Sequence, residues 1–293
     1  MTSTASPSLT DALPPAADIL ADIDRAFAED IGPGDATADL LDPKATATAV
    51  LTCRENAVIC GTAWFDAAFR KLDPDVRIEW LAHDGDRVTA GSPICRLAGQ
   101  ARALVTAERT ALNFLQLLSS TATVTSRYVD ALAGTPTRIL DTRKTLPGLR
   151  RAQKYAVRCG GGTNHRIGLF DAMMLKENHI IAAGGIRPAV NAARLIHPTL
   201  PLIVEVETMD ELAEAIAAGA DRALLDNFTP AMLTEAVAYT AGRIPLEVSG
   251  NVELDTIHVI ARTGVDFISS GALTKHVRAI DLSLRLDVKH PGD

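Results

Sequence analysis

The stretch PLIVEVETMDELAEAIAAGADRALLDN, residues 201–227, decides the fold class. It begins with the short apolar run 201–206, which is typical of a buried strand. A polar turn and the helical pattern of 209–218 follow, and a second short apolar run, 222–225, comes next. A strand, a helix and a strand in such close succession predict a βαβ unit with two parallel strands.

The same alternation occupies the second half of the chain. Further strand-like runs occur at 138–140, 168–175, 244–248 and 266–268, and further helical stretches at 230–240 and 254–263. Six strand-helix steps at this spacing suit a doubly wound sheet or a closed or nearly closed barrel. Polar residues follow every apolar run, and a barrel gathers the carboxyl ends of all its strands at one mouth. The barrel is therefore the favoured interpretation.

The front of the chain has a different pattern. Apolar residues recur at helical spacing over 19–31, and short strand-like runs follow at 46–53, 57–59, 76–81 and 92–97. Turn-forming residues separate these runs. The pattern predicts a small α+β domain that precedes the barrel.

Two further segments connect the expected domains. Residues 106–132 contain neither Pro nor Gly and predict one long helix or two abutting helices. The tail 280–288 alternates strictly between apolar and polar residues, which predicts a half-buried antiparallel strand that returns to the front domain. We therefore expect a flexible lead-in over 1–18, an N-terminal α+β domain over 19–115 completed by 277–293, and a barrel domain over 116–276.

Composition limits the possible functions. The 293 residues are 47% hydrophobic and 22% charged, which is ordinary for a globular protein with a sizeable core. The 36 acidic residues outnumber the 29 Lys and Arg, and the net charge of -7 has the wrong sign for coating nucleic acid or an anionic membrane. No apolar window could span a bilayer, the four cysteines lack metal-binding spacing, and the start lacks a secretory apolar core. A cytoplasmic protein is expected.

Basic residues would converge on the expected mouth. The set consists of Arg143, Lys144, His165, Arg166 and Lys176. Any one of them alone is more often a solvated side chain. Together they would repel one another unless an anionic ligand compensates their charge, so the set predicts a small substrate with several negative charges. The glycine-rich segment 160–163 lacks a nucleotide-binding motif, and we interpret it as a flexible loop that delivers His165 and Arg166.

Two acidic residues oppose this basic set. Glu205 and Asp226 each lie at the end of an apolar run. They could hold Mg²⁺, with water and substrate oxygens completing the shell, or stabilise a developing cation. Their spacing fits equally well with a purely structural role as ion-pair partners of the basic residues. Glu207 is a weaker third candidate, because strand alternation directs it to the same side as Glu205.

Two small-residue turns follow the last two predicted strands. Ser249-Gly250-Asn251 and Ser269-Ser270-Gly271 lie where barrels often bind a phosphate group on backbone N–H groups. Glycine permits close approach of the backbone, and the hydroxyls add donors. Each turn taken alone is also compatible with an ordinary loop.

Several of these segments together resemble one known family. The resemblance is carried by TAERTALNF at 106–114, DTRKTLPGLR at 141–150, KYAV at 154–157, GGGTNHRIGL at 160–169, LKENH at 175–179, VEVE at 204–207, LDN at 225–227 and VSGN at 248–251. In this order they closely resemble quinolinate phosphoribosyltransferase, and the resemblance covers the chain from about Ile19 to its end. The combination is specific, although no single segment is.

The resemblance implies both a fold and a reaction. The implied fold is an N-terminal α/β sandwich-like domain, completed by the C-terminal tail, plus an incomplete (β/α) barrel of mostly parallel strands. In the implied reaction quinolinate attacks C1 of phosphoribosyl pyrophosphate with Mg²⁺ present, pyrophosphate leaves, and the adduct loses CO₂ to give nicotinate mononucleotide for NAD biosynthesis. The ring nitrogen accepts the electrons released by decarboxylation, so no organic cofactor is expected.

The resemblance also implies roles for individual residues. The expected quinolinate pocket comprises Arg109, Thr142, Arg143, His165, Arg166 and Lys176. The expected catalytic residues are Lys144, Glu205 and Asp226, of which Glu205 and Asp226 would hold Mg²⁺ directly or through water. The expected phosphate-binding residues are Lys144, Ser249, Gly250, Asn251, Ser270 and Gly271. The implied assembly is a homodimer with shared sites, alone or within a larger oligomer, in which Arg109 reaches into the partner's pocket.

Two rival functions remain open at this point. A phosphoribosyltransferase for nicotinate or another monocarboxylate would need no decarboxylation, but one carboxylate does not need Arg143, Arg166 and Lys176 together. A carrier domain is suggested by HDGDRVTAG, residues 83–91, which is similar to the hairpin of biotinyl and lipoyl domains. Those hairpins present a lysine, and 81–97 contains none.

Overall fold

The computed structural model describes residues 9–250 and 252–289. The chain forms two compact units. Among the described residues, unit 1 comprises 9–124, 147–161 and 277–289, and unit 2 comprises 125–146, 162–250 and 252–276.

The elements alternate in type along most of the chain. The helices are α1 (Leu9–Ala12), α2 (Ala16–Asp30), α3 (Thr62–Leu72), α4 (Ala101–Ala131), α5 (Arg150–Cys159), α6 (Glu177–Ala183), α7 (Ile186–Ile196), α8 (Met209–Ala218), α9 (Pro230–Thr240), α10 (Ile257–Ala261) and α11 (Ala272–Lys275). The strands are β1 (Thr46–Cys53), β2 (Ala57–Val58), β3 (Arg77–Trp80), β4 (Arg87–Val88), β5 (Ser92–Gln100), β6 (Arg138–Leu140), β7 (Met173–Leu175), β8 (Leu202–Val206), β9 (Arg222–Leu225), β10 (Leu246–Val248), β11 (Phe267–Ser269) and β12 (Leu282–Lys289).

Unit 1 contains a four-stranded antiparallel sheet in the order β12-β1-β5-β3. Its inward-facing side chains pack with helices over one apolar core that includes Ile23, Leu51, Phe65 and Leu115. The tail strand β12 pairs antiparallel with β1 along the full length of both strands. The prediction that the alternating tail returns to the front domain is therefore confirmed.

The divisions of the chain differ from those expected from the sequence. Residues 1–8 of the expected lead-in lie outside the described residues, but Leu9–Ala12 is helical, and Leu9 and Leu13 pack on the core of unit 1. The long helix is a single one, α4, which continues past the expected boundary at 115/116. Helix α5 belongs to unit 1 rather than to the barrel, because its apolar side chains, including Ala152 and Tyr155, join the unit 1 core.

Unit 2 contains a six-stranded sheet in the order β6-β11-β10-β9-β8-β7, in which every observed pair is parallel. The strand order progresses around the sheet without the reversal that defines a doubly wound fold. Within the described part of the chain no ladder joins the edge strands β6 and β7. The architecture is thus the incomplete, mostly parallel barrel that the sequence and the resemblance predicted.

One predicted strand of unit 2 is much shorter than expected. The apolar run 168–175 forms a strand only over its last three residues, β7. The Asp171 carboxylate accepts hydrogen bonds from the backbone N–H groups of Ile167 and Gly168, at 2.7 and 3.0 Å. These local bonds fold the segment into a turn and leave Leu169 and Phe170 exposed, because a short polar side chain can compete with the sheet for backbone donors.

Length and apolarity decide whether a helix can cross a membrane. The longest, α4, has 31 residues. Over 9–250 and 252–289, no helix combines the length and apolarity needed to cross a bilayer.

Candidate functional site

Three predicted site residues meet at the carboxyl ends of neighbouring strands in unit 2. Lys176 follows β7, Glu205 is in β8 and Asp226 follows β9. The three side chains line one cavity of about 480 Å³. Lys176 Nζ lies 2.5 Å from Glu205 Oε2, and Glu207 lines the same cavity. The structure therefore brings together the lysine and the carboxylates that the sequence placed at the mouth.

The turn after β9 adjoins the first small-residue turn. Asn227 has a positive φ of 60°, which turns the chain immediately after Asp226. Gly250 has a φ of 98°, and a Cβ at its position would lie 3.5 Å from Asp226 Oδ1. The positive φ favours glycine at position 250. Because glycine has no side chain, the backbone there lies close to the Asp226 carboxylate. Ser249 precedes this glycine, whereas Asn251 lies outside the described residues.

Lys144 and Thr142 lie against the second small-residue turn. The Lys144 backbone N–H donates to Thr142 Oγ1 at 3.1 Å, and the Lys144 carbonyl accepts from Thr274 Oγ1 at 2.8 Å. A Cβ on Gly271 would lie 2.8 Å from Lys144 Cδ. The absence of a side chain at Gly271 therefore makes room for the lysine stem.

Ser270 is the buried member of the same turn. Its side chain is largely shielded from solvent, and its hydroxyl accepts a hydrogen bond from the Ala272 backbone N–H at 3.3 Å. Its backbone N–H donates to the Leu140 carbonyl at 3.0 Å. These bonds tie the turn after β11 to the end of β6.

Two arginines predicted to bind carboxylates lie close enough to repel each other. Burial lowers the pKa of the Arg166 guanidinium, and the positive charge of Arg143 lowers it further. Arg166 also donates through Nη1 to the Ala172 carbonyl at 3.1 Å. His165 and Arg166 line a cavity of about 280 Å³ whose lining includes neither Lys176 nor Glu205 nor Asp226. The predicted convergence of all the basic residues on one mouth is therefore not seen in the described residues.

The segment that carries Arg166 is held by a buried carboxylate. Asp141 is fully buried at the end of β6. It accepts hydrogen bonds from Asn164 Nδ2 at 2.6 Å and from the His165 backbone N–H at 2.8 Å. Thr163 forms a parallel bridge to Leu140. The glycine-rich segment is therefore anchored at its end, which corrects the interpretation of it as a simple flexible loop.

His165 lies beside two residues that sequence reasoning missed. Its Nε2 lies 3.2 Å from Glu247 Oε2, and Arg222 Nη1 lies 3.0 Å from the same oxygen. Burial acts to raise the pKa of Glu247, but hydrogen bonds and charge from His165, with Ser269 and Arg222, outweigh it and hold the pKa below its usual value. The available sequence signal was an acidic residue inside the apolar run 244–248.

Arg109 belongs to unit 1, on α4, where its side chain is exposed. Burial raises the pKa of the neighbouring Glu108, and the charge of Arg109 partly offsets that rise. The predicted role of Arg109 in a partner's pocket stays a prediction.

The carboxylates around the cavity fit a hard divalent cation. Glu205, Glu207, Glu211 and Asp226 all line it, and carboxylate oxygens are the ligands that Mg²⁺ prefers. Among the described residues, however, no three of these oxygens lie close enough together to form a ligand set by themselves. The arrangement therefore suits an ion that keeps most of its water or takes oxygens from a substrate.

A second group of ligand-type atoms lies in unit 1. Cys60, Asp84 and Cys159 place one such atom each within 4.8 Å of one another. Asp84 already accepts hydrogen bonds from the backbone N–H groups of Gly61 and Thr62 at the start of α3, and from the Tyr155 hydroxyl at 2.7 Å. The carboxylate thus acts as a helix cap, and the cysteines are free and buried, in line with the prediction of structural thiols.

Comparison with known proteins identifies relatives over nearly the whole chain. The model of the quinolinate phosphoribosyl transferase C-terminal domain matches residues 121–285, and that of the N-terminal domain matches 35–119. The chloroplastic carboxylating nicotinate-nucleotide pyrophosphorylase of Arabidopsis thaliana is 43% identical, over 94% of this chain and 84% of the relative. A probable carboxylating nicotinate-nucleotide pyrophosphorylase from Synechocystis is 44% identical, over 89% of this chain and 90% of the relative. The nicotinate-nucleotide pyrophosphorylase structure from Francisella tularensis has a TM-score of 0.93 and 47% identity, covering 97% of this chain and 100% of that one.

Proposed function

This chain belongs to the quinolinate phosphoribosyltransferase family, and we propose that it transfers the phosphoribosyl group of phosphoribosyl pyrophosphate to quinolinate and removes one carboxyl group. The enzyme is a decarboxylating pentosyltransferase. Its product is nicotinate mononucleotide, an intermediate of NAD biosynthesis.

The proposed reaction has two steps. The lone pair of the quinolinate nitrogen forms a bond to ribose C1 while the bond from C1 to the pyrophosphate oxygen breaks, and pyrophosphate leaves with that electron pair. The bond between ring C2 and its carboxylate then breaks, CO₂ leaves, and the electron pair remains at C2, where the cationic ring nitrogen stabilises it. A proton from solvent or a site acid completes the product. The residues need to orient the ring and shelter it from competing reactions.

The observation that carries the proposal is the cavity where Lys176, Glu205 and Asp226 meet at the carboxyl ends of neighbouring strands. Arg143 and Arg166 lie in the same unit, close enough to repel each other. Quinolinate has two adjacent ring carboxylates, and guanidinium groups bind carboxylates in a two-pronged geometry. We propose that the two carboxylates of quinolinate bind these two arginines. Thr142 and His165 complete the proposed quinolinate pocket in unit 2.

We assign the binding of phosphoribosyl pyrophosphate to the two carboxylates, Lys144 and the two small-residue turns. Departure of pyrophosphate leaves positive charge on the ribose, and a fixed carboxylate stabilises such charge. We assign this role to Glu205 and Asp226, and phosphate binding to Lys144 and the two small-residue turns. Glycine in each turn lets backbone N–H groups approach phosphate oxygens.

Magnesium is part of the proposal. Glu205 and Asp226 would hold it together with water and phosphoribosyl pyrophosphate oxygens, and the ion would neutralise charge on the pyrophosphate. No organic cofactor is proposed.

The proposal extends to assembly and location. We propose a homodimer, alone or within a larger oligomer, in which Arg109 of one subunit completes the quinolinate pocket of the other. Such an isologous exchange creates two composite sites per dimer. A cytoplasmic location is also proposed; the related plant enzyme is described as chloroplastic.

Side-by-side turnover of quinolinate and nicotinate tests the acceptor. Purified enzyme would be assayed with each acid, phosphoribosyl pyrophosphate and Mg²⁺, and nicotinate mononucleotide would be quantified. We expect a kcat/KM for quinolinate larger by at least about a hundredfold, because nicotinate lacks one of the two carboxylates that the proposed pocket binds through charge-assisted hydrogen bonds. Equal or faster turnover of nicotinate would instead establish the rival, non-decarboxylating function.

A further inference from the structure

Helix α6 follows Lys176 directly and carries two isoleucines beside the candidate site. None of its seven residues, all of which the structure describes, is buried. Ile181 is 67% exposed. A single exposed isoleucine is ordinary on a protein surface, but Ile180 and Ile181 both line the cavity of about 480 Å³ that also contains Lys176 and Glu205. Their position in the cavity, rather than their exposure alone, indicates a role.

The two isoleucines are the apolar part of an otherwise polar lining. The other described residues that line this cavity are one lysine, one asparagine and five acidic residues. Ligand pockets combine apolar walls with a few placed polar groups. An apolar wall beside the Lys176 ammonium therefore suits a ligand that has charged groups on its edge and an apolar face.

Backbone hydrogen bonds fix this apolar wall relative to Lys176. Lys176 is the N-cap residue of α6, and its backbone N–H donates to His179 Nδ1 at 3.1 Å. The Lys176 carbonyl accepts a hydrogen bond from the Ile180 backbone N–H at 3.0 Å. Residues four apart lie on the same face of a helix. The start of α6 thus holds a positive charge and an apolar surface next to each other.

The proposed chemistry brings the pyridine ring to this cavity. Glu205 and Asp226 are assigned to the ribose, and the ring nitrogen attacks C1 of that ribose. The reacting atoms must approach to about 3–3.5 Å, so the nitrogen edge of quinolinate comes beside these carboxylates. The two faces of the pyridine ring are apolar, whereas the ribose carries hydroxyl and phosphate groups. The ring is therefore the part of the two substrates that fits an isoleucine wall.

We propose that Ile180 and Ile181 are specificity residues for quinolinate, and that one face of the pyridine ring packs on them beside the Lys176 ammonium. This inference rests on the proposed function, because it takes quinolinate as the acceptor. Packing against the ring gives the exposed Ile181 side chain an apolar partner. The site then selects an aromatic dicarboxylate over an aliphatic one that has the same pair of carboxylates.

Inhibition by two dicarboxylates tests the contact with the ring. Phthalate has an aromatic ring and two adjacent carboxylates, and maleate has a similar pair of carboxylates without a ring. The inhibition constant of each is measured against quinolinate at saturating phosphoribosyl pyrophosphate. We expect Ile181→Ala to raise the quinolinate KM and the phthalate inhibition constant about tenfold through loss of apolar contact. The maleate inhibition constant and the KM for phosphoribosyl pyrophosphate should change less than about twofold.

Two results would overturn the proposal. An unchanged quinolinate KM in Ile181→Ala would show that the side chain does not contact the ring. Equal weakening of phthalate and maleate would show that α6 acts only by placing Lys176, since both inhibitors present carboxylates to it. Ile181→Leu, which keeps the apolar volume, should restore the quinolinate KM to within about threefold of wild type.

An isoleucine of the next helix provides a matched control. Ile196 of α7 is 68% exposed and is not among the residues that line the cavity. Ile196→Ala should leave every one of these constants unchanged. Because both side chains are exposed to the same degree, neither alanine variant should lose stability, and thermal melts check this. Sedimentation velocity should show the same assembly for Ile181→Ala and wild type; dissociation would overturn the proposal and assign Ile181 to a contact between subunits.

The two levels of inference fail separately. If the wild-type enzyme does not convert quinolinate, the proposed function fails. If the wild-type enzyme converts quinolinate and Ile181→Ala has wild-type constants, only this inference fails.

Discussion

At the scale of single residues, the proposed site contains both like charges and an ion pair. Arg143 and Arg166 repel each other, and Lys176 already contacts Glu205 at 2.5 Å. A bound dicarboxylate would relieve the repulsion between the arginines. The roles of the basic residues can therefore be separated by their effects on the two substrates.

Arg143→Lys is expected to act as a severe substitution. A single ammonium cannot reproduce the two-pronged contact of a guanidinium with a planar carboxylate. We expect the quinolinate KM to rise on the order of tenfold or more, measured by steady-state kinetics at saturating phosphoribosyl pyrophosphate. Arg138→Lys, at an exposed position at the start of β6, provides the control and should behave as wild type. Near-normal quinolinate affinity in Arg143→Lys would place Arg143 outside the pocket.

Lys144→Ala is expected to affect turnover more than quinolinate binding. Its stem occupies the space left by Gly271, and we assign its charge to the phosphoribosyl pyrophosphate side, where charge changes in the transition state. A fall in kcat of roughly a hundredfold is expected. The exposed Lys289→Ala serves as the control. A loss confined to the quinolinate KM would contradict the assignment of Lys144.

At the scale of elements, local pattern predicted some boundaries and missed others. Strand β1 was predicted with its observed limits, because Ala47, Ala49, Leu51 and Cys53 place an apolar residue at every second position. Helix α5 was left unassigned, since its buried face includes Gln153 and Lys154, which local pattern treats as surface residues. The turn at Asp171 was missed because side-chain bonds to the backbone compete with an apolar run.

The same limit applied to the candidate site. The sequence identified Lys176, Glu205 and Asp226, which follow or end strands, because parallel strands bring their carboxyl ends together. It missed Glu247 and Arg222, whose pairing depends on side chains from adjacent strands meeting inside the sheet. An acidic residue inside the apolar run 244–248 was the only hint of Glu247 along the chain, and it does not indicate the partner.

Strand β12 provides a test of how unit 1 is completed. Leu284 pairs with the fully buried Leu51 of β1 and packs on the unit 1 core. Leu284→Asn should lower the free energy of unfolding by about 1–2 kcal/mol through loss of apolar burial. The neighbouring Arg285→Ala, on the exposed face, should change it by less than about 0.5 kcal/mol. Urea denaturation measures the free energy of unfolding of both variants. Equal changes in the two variants would mean that β12 does not contribute apolar burial to the unit 1 core.

At the scale of the whole molecule, the proposed dimer makes a distinctive prediction about mixed subunits. Arg109→Ala and Lys176→Ala should each be inactive as pure proteins. If Arg109 acts in the partner's pocket, a heterodimer has one intact site and one that lacks both residues. Equal mixing with random exchange should restore activity to about one quarter of wild type.

Subunit exchange would be verified independently, for example by mass spectrometry of differently tagged subunits. A mixture that remains inactive after complete exchange would show that Arg109 works within its own subunit or has no part in the site. Recovery of activity without subunit exchange would indicate contamination by wild-type enzyme. Each variant carried alone through the same mixing procedure would reveal such contamination.

The central claim is that one site couples phosphoribosyl transfer to decarboxylation, and carbon balance tests it most directly. Quinolinate labelled in the carboxyl group on C2 would be incubated with the enzyme, phosphoribosyl pyrophosphate and Mg²⁺, and CO₂, pyrophosphate and nicotinate mononucleotide would be measured together. The account predicts one labelled CO₂ and one pyrophosphate for each unlabelled nicotinate mononucleotide. Pyrophosphate release with no CO₂, or a nucleotide that retains the label, would contradict it.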